Sequence, residues 1–267
     1  MKAQRTLRRS ISCAGIGLHS GRKVTLSLKP ALADTGIRFR RCDQDGMEVP
    51  ATVKHVGGIN YATGLSRDAV RVDTVEHLLA ALVSLGIDNV IVELNSPEVP
   101  IMDGSASPFI DLIQRAGVRQ LGAARRYLKV LRPLSLSRGN KSIALYPSDQ
   151  FRVTYSIAFD HPLLQHQSMS LENAIVIGET GVLNGRLRFE DEFVRHKILD
   201  VIGDMALLGY PLVGHLVAHR GGHALHTEFA AHVLEDPDAW TLIESVDTAT
   251  VDAKAALPIK DAYRAAN

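Results

Sequence analysis

One order of elements, strands followed by helix, strand and helix, occurs twice along this chain, and no other feature limits its architecture as strongly. In the first half, residues 10–18, 24–28 and 36–40 read as strands. Segment 74–85 then switches to a helical period. Val75, Leu78, Leu79, Leu82 and Leu85 fall on one face, and Gly86 ends the run. A short apolar strand at 89–94 and a helix at 107–116, closed by Gly117, complete that half. After Ala123-Ala124-Arg125-Arg126 the order returns. Strands are expected at 127–131, 142–146 and 151–157, a helix at 189–208 ended by Gly209, a strand at 212–218 and a helix at 224–234. Identity between the halves is negligible, so the argument is one of pattern. It predicts an α+β fold of two similar domains, 1–124 and 125–267, each with a sheet on one side and helices on the other. If the halves pack helix to helix, chemistry on their first long helices meets at the interface.

The 267 residues carry a formal charge of +1, so no global field favours a nucleic-acid partner, and any anion site must be local. Cys13 and Cys42 are too few for a disulfide framework and lack metal-ligand spacing, which fits a reducing compartment. The first nine residues include Lys2, Arg5, Arg8 and Arg9 with no apolar stretch behind them, unlike a secretory leader. No window approaches the roughly 18 apolar residues of a membrane span. A cytoplasmic monomer is the expectation.

The sharpest chemical signal lies on the second half's long helix. His196, Asp200 and Asp204 are spaced i, i+4, i+8 and rise in one row, among the apolar Ile198, Leu199, Val201 and Ile202. Carboxylates and an imidazole on a buried face need a cation or one another, because unpaired buried charge is costly. A salt-bridged His196–Asp200 pair on a partly exposed face accounts for this helix alone equally well. On the first half's helix, His77 interrupts an apolar stripe, and Glu76 lies about 100° around the axis. One can ligate a metal while the other faces a water. Asp73 with Glu76 also reads as a plain helix-start pattern. Arg220-Gly221-Gly222-His223 is the third signal, two glycines permitting close backbone approach before a histidine. The other histidines, His226 among them, read as surface or packing residues.

Taken together, Gly15-Ile16-Gly17-Leu18-His19-Ser20-Gly21, Thr74-Val75-Glu76-His77-Leu78, Pro100-Ile101-Met102-Asp103-Gly104-Ser105, the run from Phe189 through Val194-Arg195-His196-Lys197-Ile198-Leu199-Asp200, and Gly222-His223-Ala224-Leu225 resemble the UDP-3-O-acyl-N-acetylglucosamine deacetylases. These are zinc enzymes that commit Gram-negative bacteria to lipid A synthesis. The resemblance runs in order from about Gln4 to Trp240. It implies two α+β domains with helices sandwiched between two outer sheets. It also implies Zn2+ held by His77, His196 and Asp200, with a fourth position left open. Glu76 matches the general base, His223 the residue that stabilises the oxyanion and protonates the departing amine, and Asp204 the carboxylate that orients His223. Lys197, Arg220 and Phe159 match substrate contacts, Arg220 standing where lysine is common. His19 and Asp103 read as a turn residue and a packing or capping acid. The implied partner is a UDP-linked acylated N-acetylglucosamine.

The pattern breaks between Asp160-His161-Pro162 and Phe189-Glu190-Asp191. There the family carries a longer insertion that lines the acyl passage and follows an Arg-Thr-Phe-Gly-Phe segment whose threonine helps hold the oxyanion. No such segment occurs here, and Thr180 does not match its context. Two alternatives follow for the activity: a zinc and nucleotide-sugar binder with little turnover, or a deacetylase for a smaller N-acyl sugar.

Overall fold

The computed structural model describes residues 2–58, 61–158, 177–178, 181–182 and 186–244. Four α-helices are found among them: α1 (Glu76–Ser84), α2 (Ser107–Ala116), α3 (Glu192–Met205) and α4 (His223–Glu235). A five-stranded sheet runs Ile11–Ile16, Lys23–Pro30, Val90–Leu94, Ile37–Arg41, Met47–Pro50 in spatial order. A four-stranded sheet runs Leu134–Arg138, Lys141–Tyr146, His215–His219, Arg152–Ser156.

The two sheets share a topology. In each, a hairpin is followed by a strand that returns after the first long helix and pairs antiparallel to the hairpin's second strand. The third strand then joins parallel to that returning strand. A parallel neighbour needs a crossover connection, and the helices α1 and α3 lie within those connections. The repeated order read from the sequence is therefore a repeated fold.

Apolar side chains gather in two clusters. One draws on residues between Leu7 and Ala116 with Leu207, the other on residues between Leu128 and Ala239. Residues Glu76 to Leu82 of α1 are all buried, because the helix is apolar almost all round, packs against α2 and α3, and joins the first apolar cluster. In α3 the buried set is Asp200, Val201, Gly203, Asp204 and Met205; Asp200 and Gly203 meet α1, Asp204 meets α4, and Val201 and Met205 join the second apolar cluster. α2 buries Phe109, Leu112, Ile113 and Ala116 at helical spacing, starts with Pro108 in its first turn and stops at Gly117, whose φ is 71°.

Two local expectations change, and one strand has no counterpart in the sequence reading. The strand expected at 212–218 is two strands, Leu212–Val213 beside Tyr127–Val130 and His215–His219 in the four-stranded sheet. The chain crosses between sheets at Gly214, where a Cβ would lie 2.7 Å from Val130 Cγ2, so a side chain there would force its neighbours to shift. The helix expected at 189–208 begins at Glu192 and gives way to a 3-10 turn, Ala206–Leu208. The basic N-terminal stretch contains a strand, Ala3–Leu7, paired antiparallel with Val118–Ala124. Its mixed composition hides the alternation that normally marks a strand, and Thr6 is fixed instead by a buried bond from its hydroxyl to Asn89 O at 2.7 Å. No helix among the described residues is long and apolar enough to cross a membrane.

Candidate metal centre

The start of α1 is set by an unusual backbone. Thr74 has φ 58°, a strained value for a β-branched residue, and is buried. Its hydroxyl donates to Glu98 Oε1 at 3.0 Å, and the same buried carboxylate accepts from His19 N at 2.9 Å and Ser20 N at 2.8 Å. Those bonds offset the strain and deliver the first turn of α1, with Glu76 and His77, toward α3. Asp103 Oδ1 serves its own turn, accepting from Ser105 N at 2.9 Å and Ser105 Oγ at 2.8 Å.

Opposite, α3 brings His196 and Asp200 to the same place. His77 Nε2 lies 3.3 Å from Asp200 Oδ1, and His196 Nε2 lies 3.5 Å from that oxygen. The two imidazole rings meet edge to face with centroids 4.9 Å apart. These spacings exceed the roughly 2.7–2.9 Å of a charge-assisted hydrogen bond. They match the edge of a tetrahedron, since two ligands about 2.1 Å from one ion are about 3.4 Å apart. Asp200 Oδ1 is buried and accepts no hydrogen bond among the described residues. An ionised oxygen left in that state is costly unless a cation completes it. The donor set, two imidazole nitrogens and one carboxylate oxygen, therefore fits a divalent ion such as zinc, with room for an outside ligand. A plain salt-bridged pair on α3 does not explain why His77 converges from another helix.

Lys197 Nζ holds the other oxygen of that carboxylate, Asp200 Oδ2, at 2.8 Å. Burial alone would raise the pKa of Asp200, but His77, Lys197, His196 and His223 outweigh it and keep it well below the usual carboxylate range. Burial likewise opposes charge on His77, and the carboxylates of Asp200 and Glu76 more than compensate, raising its pKa.

Glu76 is buried beside this cluster. Burial pushes its pKa up to about 7, with the His223 charge pulling the other way. Thr63 N donates to Glu76 Oε2 at 3.1 Å, which leaves Oε1 facing His223 Nε2 at 4.0 Å. His223, the first residue of α4, reaches Asp204 Oδ2 through Nδ1 at 2.9 Å and presents Nε2 3.8 Å from Asp200 Oδ2. Burial disfavours its charge, yet the carboxylates Asp204, Asp200 and Glu76 prevail and its pKa is pushed up to about 9.

The structure thus brings together Glu76, His77, His196, Lys197, Asp200, Asp204 and His223. Arg220 lies between the strand His215–His219 and the glycine pair, with φ 53° and its N bonded to Ser156 O at 2.9 Å. Phe159 lies outside the described residues. Sequence reading missed three participants. His226, read as a surface or packing residue, is fully buried and takes part in the network: its Nδ1 lies 2.9 Å from Asp204 Oδ2 and its Nε2 3.0 Å from Tyr155 Oη. Asp204 as an acceptor fixes a proton on Nδ1, and the Tyr155 hydroxyl, which can donate or accept, completes Nε2, so both ring nitrogens are paired. Gly221 covers this pair so closely that a Cβ there would lie 2.7 Å from Tyr155 Oη and 2.8 Å from His226 Nε2. The spacing of His223 and His226, three residues on one helix, was the available signal for His226. Thr63 had none.

A cation seat of buried His77, buried Asp200 and exposed His196, beside the buried carboxyl of Glu76 and the imidazole of His223, is an arrangement of the metal-dependent hydrolase type. The sequence model of the UDP-3-O-acyl N-acetylglycosamine deacetylases matches residues 4–172 and 167–235, and the chain belongs to that family. Two relatives carry the name UDP-3-O-acyl-N-acetylglucosamine deacetylase. The protein of Pseudomonas entomophila (strain L48) is 43% identical over 291 aligned positions, covering 94% of this chain and 96% of its own length. That of Anaeromyxobacter sp. (strain Fw109-5) is 44% identical over 289 positions, covering 94% and 95%. Since 94% of 267 residues is about 251, about 40 of the 291 positions aligned with the first relative have no residue here. The two family matches meet at 167–172, inside the stretch where the pattern breaks.

Proposed function

We propose that this chain hydrolyses the N-acetyl group of UDP-3-O-acyl-N-acetylglucosamine, a step of lipid A synthesis, with zinc held by His77 Nε2, His196 Nε2 and Asp200 Oδ1. The observation that carries the reading is the pair of 3.3 and 3.5 Å separations around the orphaned Asp200 Oδ1. Bound zinc would supply Lewis-acid polarisation of the acetamide carbonyl. The chain's own groups handle the protons. Glu76 takes one from the attacking water through Oε1, its other oxygen being held by Thr63 N–H. The water oxygen joins the acyl carbon, and charge accumulates on the former carbonyl oxygen within reach of His223. His223 Nε2–H then protonates the amine as the carbon–nitrogen bond breaks, giving acetate and a free amino sugar. Asp204 keeps His223 in the tautomer this requires. Lys197 steadies Asp200 and stands beside the substrate; Arg220 and Phe159 are assigned to the nucleotide side.

The absent positions around 167–172 favour a second reading within the same chemistry, a deacetylase tolerant of a smaller N-acyl sugar. Acetate release from substrates with long, short and no O-acyl chains separates the two. Loss of rate with chain removal supports the first and equal rates support the second. Metal-loaded protein that releases acetate from none of them refutes both.

Two further outcomes are expected. His77→Ala removes one of three ligands and should lose both zinc, by metal analysis of the purified protein, and turnover. Acetate release should follow a bell in pH. Glu76 must be deprotonated, so rate rises through its pKa of about 7, and His223 must be protonated, so rate falls through its pKa of about 9. A cation in the seat lowers both, placing the two midpoints at or below those values. A rate still climbing above pH 10 would contradict these roles.

A further inference from the structure

Thr63 touches both halves of the site. It is fully buried one residue before the strand Gly64–Arg67. The chain is pressed close here, for a Cβ on Gly64 would lie 2.4 Å from Asp73 Oδ1 and 3.1 Å from Gly58 O. All three polar groups of Thr63 are committed. Its carbonyl accepts from Val75 N at 3.3 Å, at the entrance to α1. Its N–H donates to Glu76 Oε2 at 3.1 Å. Its hydroxyl donates to Asp204 Oδ1 at 2.6 Å, with His223 Nδ1 3.1 Å away.

The proton inventory shows what the hydroxyl does. Ionised Asp204 only accepts. Its Oδ2 receives Nδ1–H from both His223 and His226 at 2.9 Å. Its Oδ1 receives, among the described residues, the Thr63 hydroxyl. Without that bond one face of a fully buried carboxylate has no donor, and the group can turn toward another and release His223.

We propose that Thr63 is a positioning residue for the deacetylation: its N–H aims the base Glu76, and its hydroxyl locks Asp204 so that His223 stays aimed at the leaving amine. The assignment rests on the activity proposed above. Thr63→Val removes the hydroxyl while keeping shape and the N–H bond to Glu76; Thr63→Ser keeps the hydroxyl. Thr63→Val should lower kcat by about 10- to 100-fold, the worth of one hydrogen bond to a buried charge, with KM and zinc content unchanged. Thr63→Ser should recover most of that rate. Wild-type kcat in Thr63→Val, equal losses in both variants, or loss of zinc from Thr63→Val would each overturn the proposal. Should the wild-type chain release no acetate, the activity reading fails separately. The Thr63–Asp204 bond is then read from thermal unfolding of Thr63→Val, Asp204→Asn and the double variant. Non-additive losses support it, and additive losses overturn it.

Discussion

Glu76→Gln is expected to keep its zinc and lose turnover by about 10²–10⁴-fold, the usual worth of a general base. The amide is isosteric, and its carbonyl oxygen can still accept from Thr63 N, so neither α1 nor the neighbouring ligand His77 should move. What disappears is the proton acceptor at Oε1, the oxygen that faces His223 Nε2 at 4.0 Å. Burial already raises this carboxyl to about 7, close to neutral pH, where a base combines useful strength with a deprotonated population. Metal analysis with single-turnover acetate release distinguishes this outcome from mere loss of metal. Full activity in Glu76→Gln would remove Glu76 from the chemistry.

Gly203→Ala should disable the centre from behind. Gly203 lies where α3 crosses α1, and a Cβ there would sit 2.0 Å from Glu76 O, 2.7 Å from Glu76 C and 2.9 Å from Glu76 Cα. These are backbone atoms of an α1 residue and cannot swing aside, so the helices must separate by about 1 Å or more to reach ordinary contact. Displacements of about 1 Å cost on the order of 10²-fold in rate, and here they also stretch the His77–Asp200 spacing that defines the cation seat. Overpacking of this kind typically destabilises by about 1–3 kcal/mol. We expect weaker zinc affinity, a lower unfolding temperature and acetate release reduced by about two orders of magnitude. Gly122→Ala, at a glycine with open space around it, is the matched control and should change none of them.

The part of this protein legible from sequence is the part written locally. Helical period places His196, Asp200 and Asp204 in one row on α3 whatever surrounds them, because 3.6 residues per turn is a property of the chain itself. The doubled order of elements, the motif-rich segments and the break near 167–172 are local in the same sense. Tertiary structure decided the rest. That Asp200 meets His77 rather than only His196, and that Gly203 rests on the backbone of Glu76, depend on how α3 crosses α1. Thr63 and His226 reach Asp204 from a strand entrance and another helix, and Tyr155 backs His226 from a sheet. A hydroxyl or imidazole has no periodic signature of its own, and the energy that recruits each one is the cost of leaving a buried carboxylate unsatisfied, which exists only once the halves have packed.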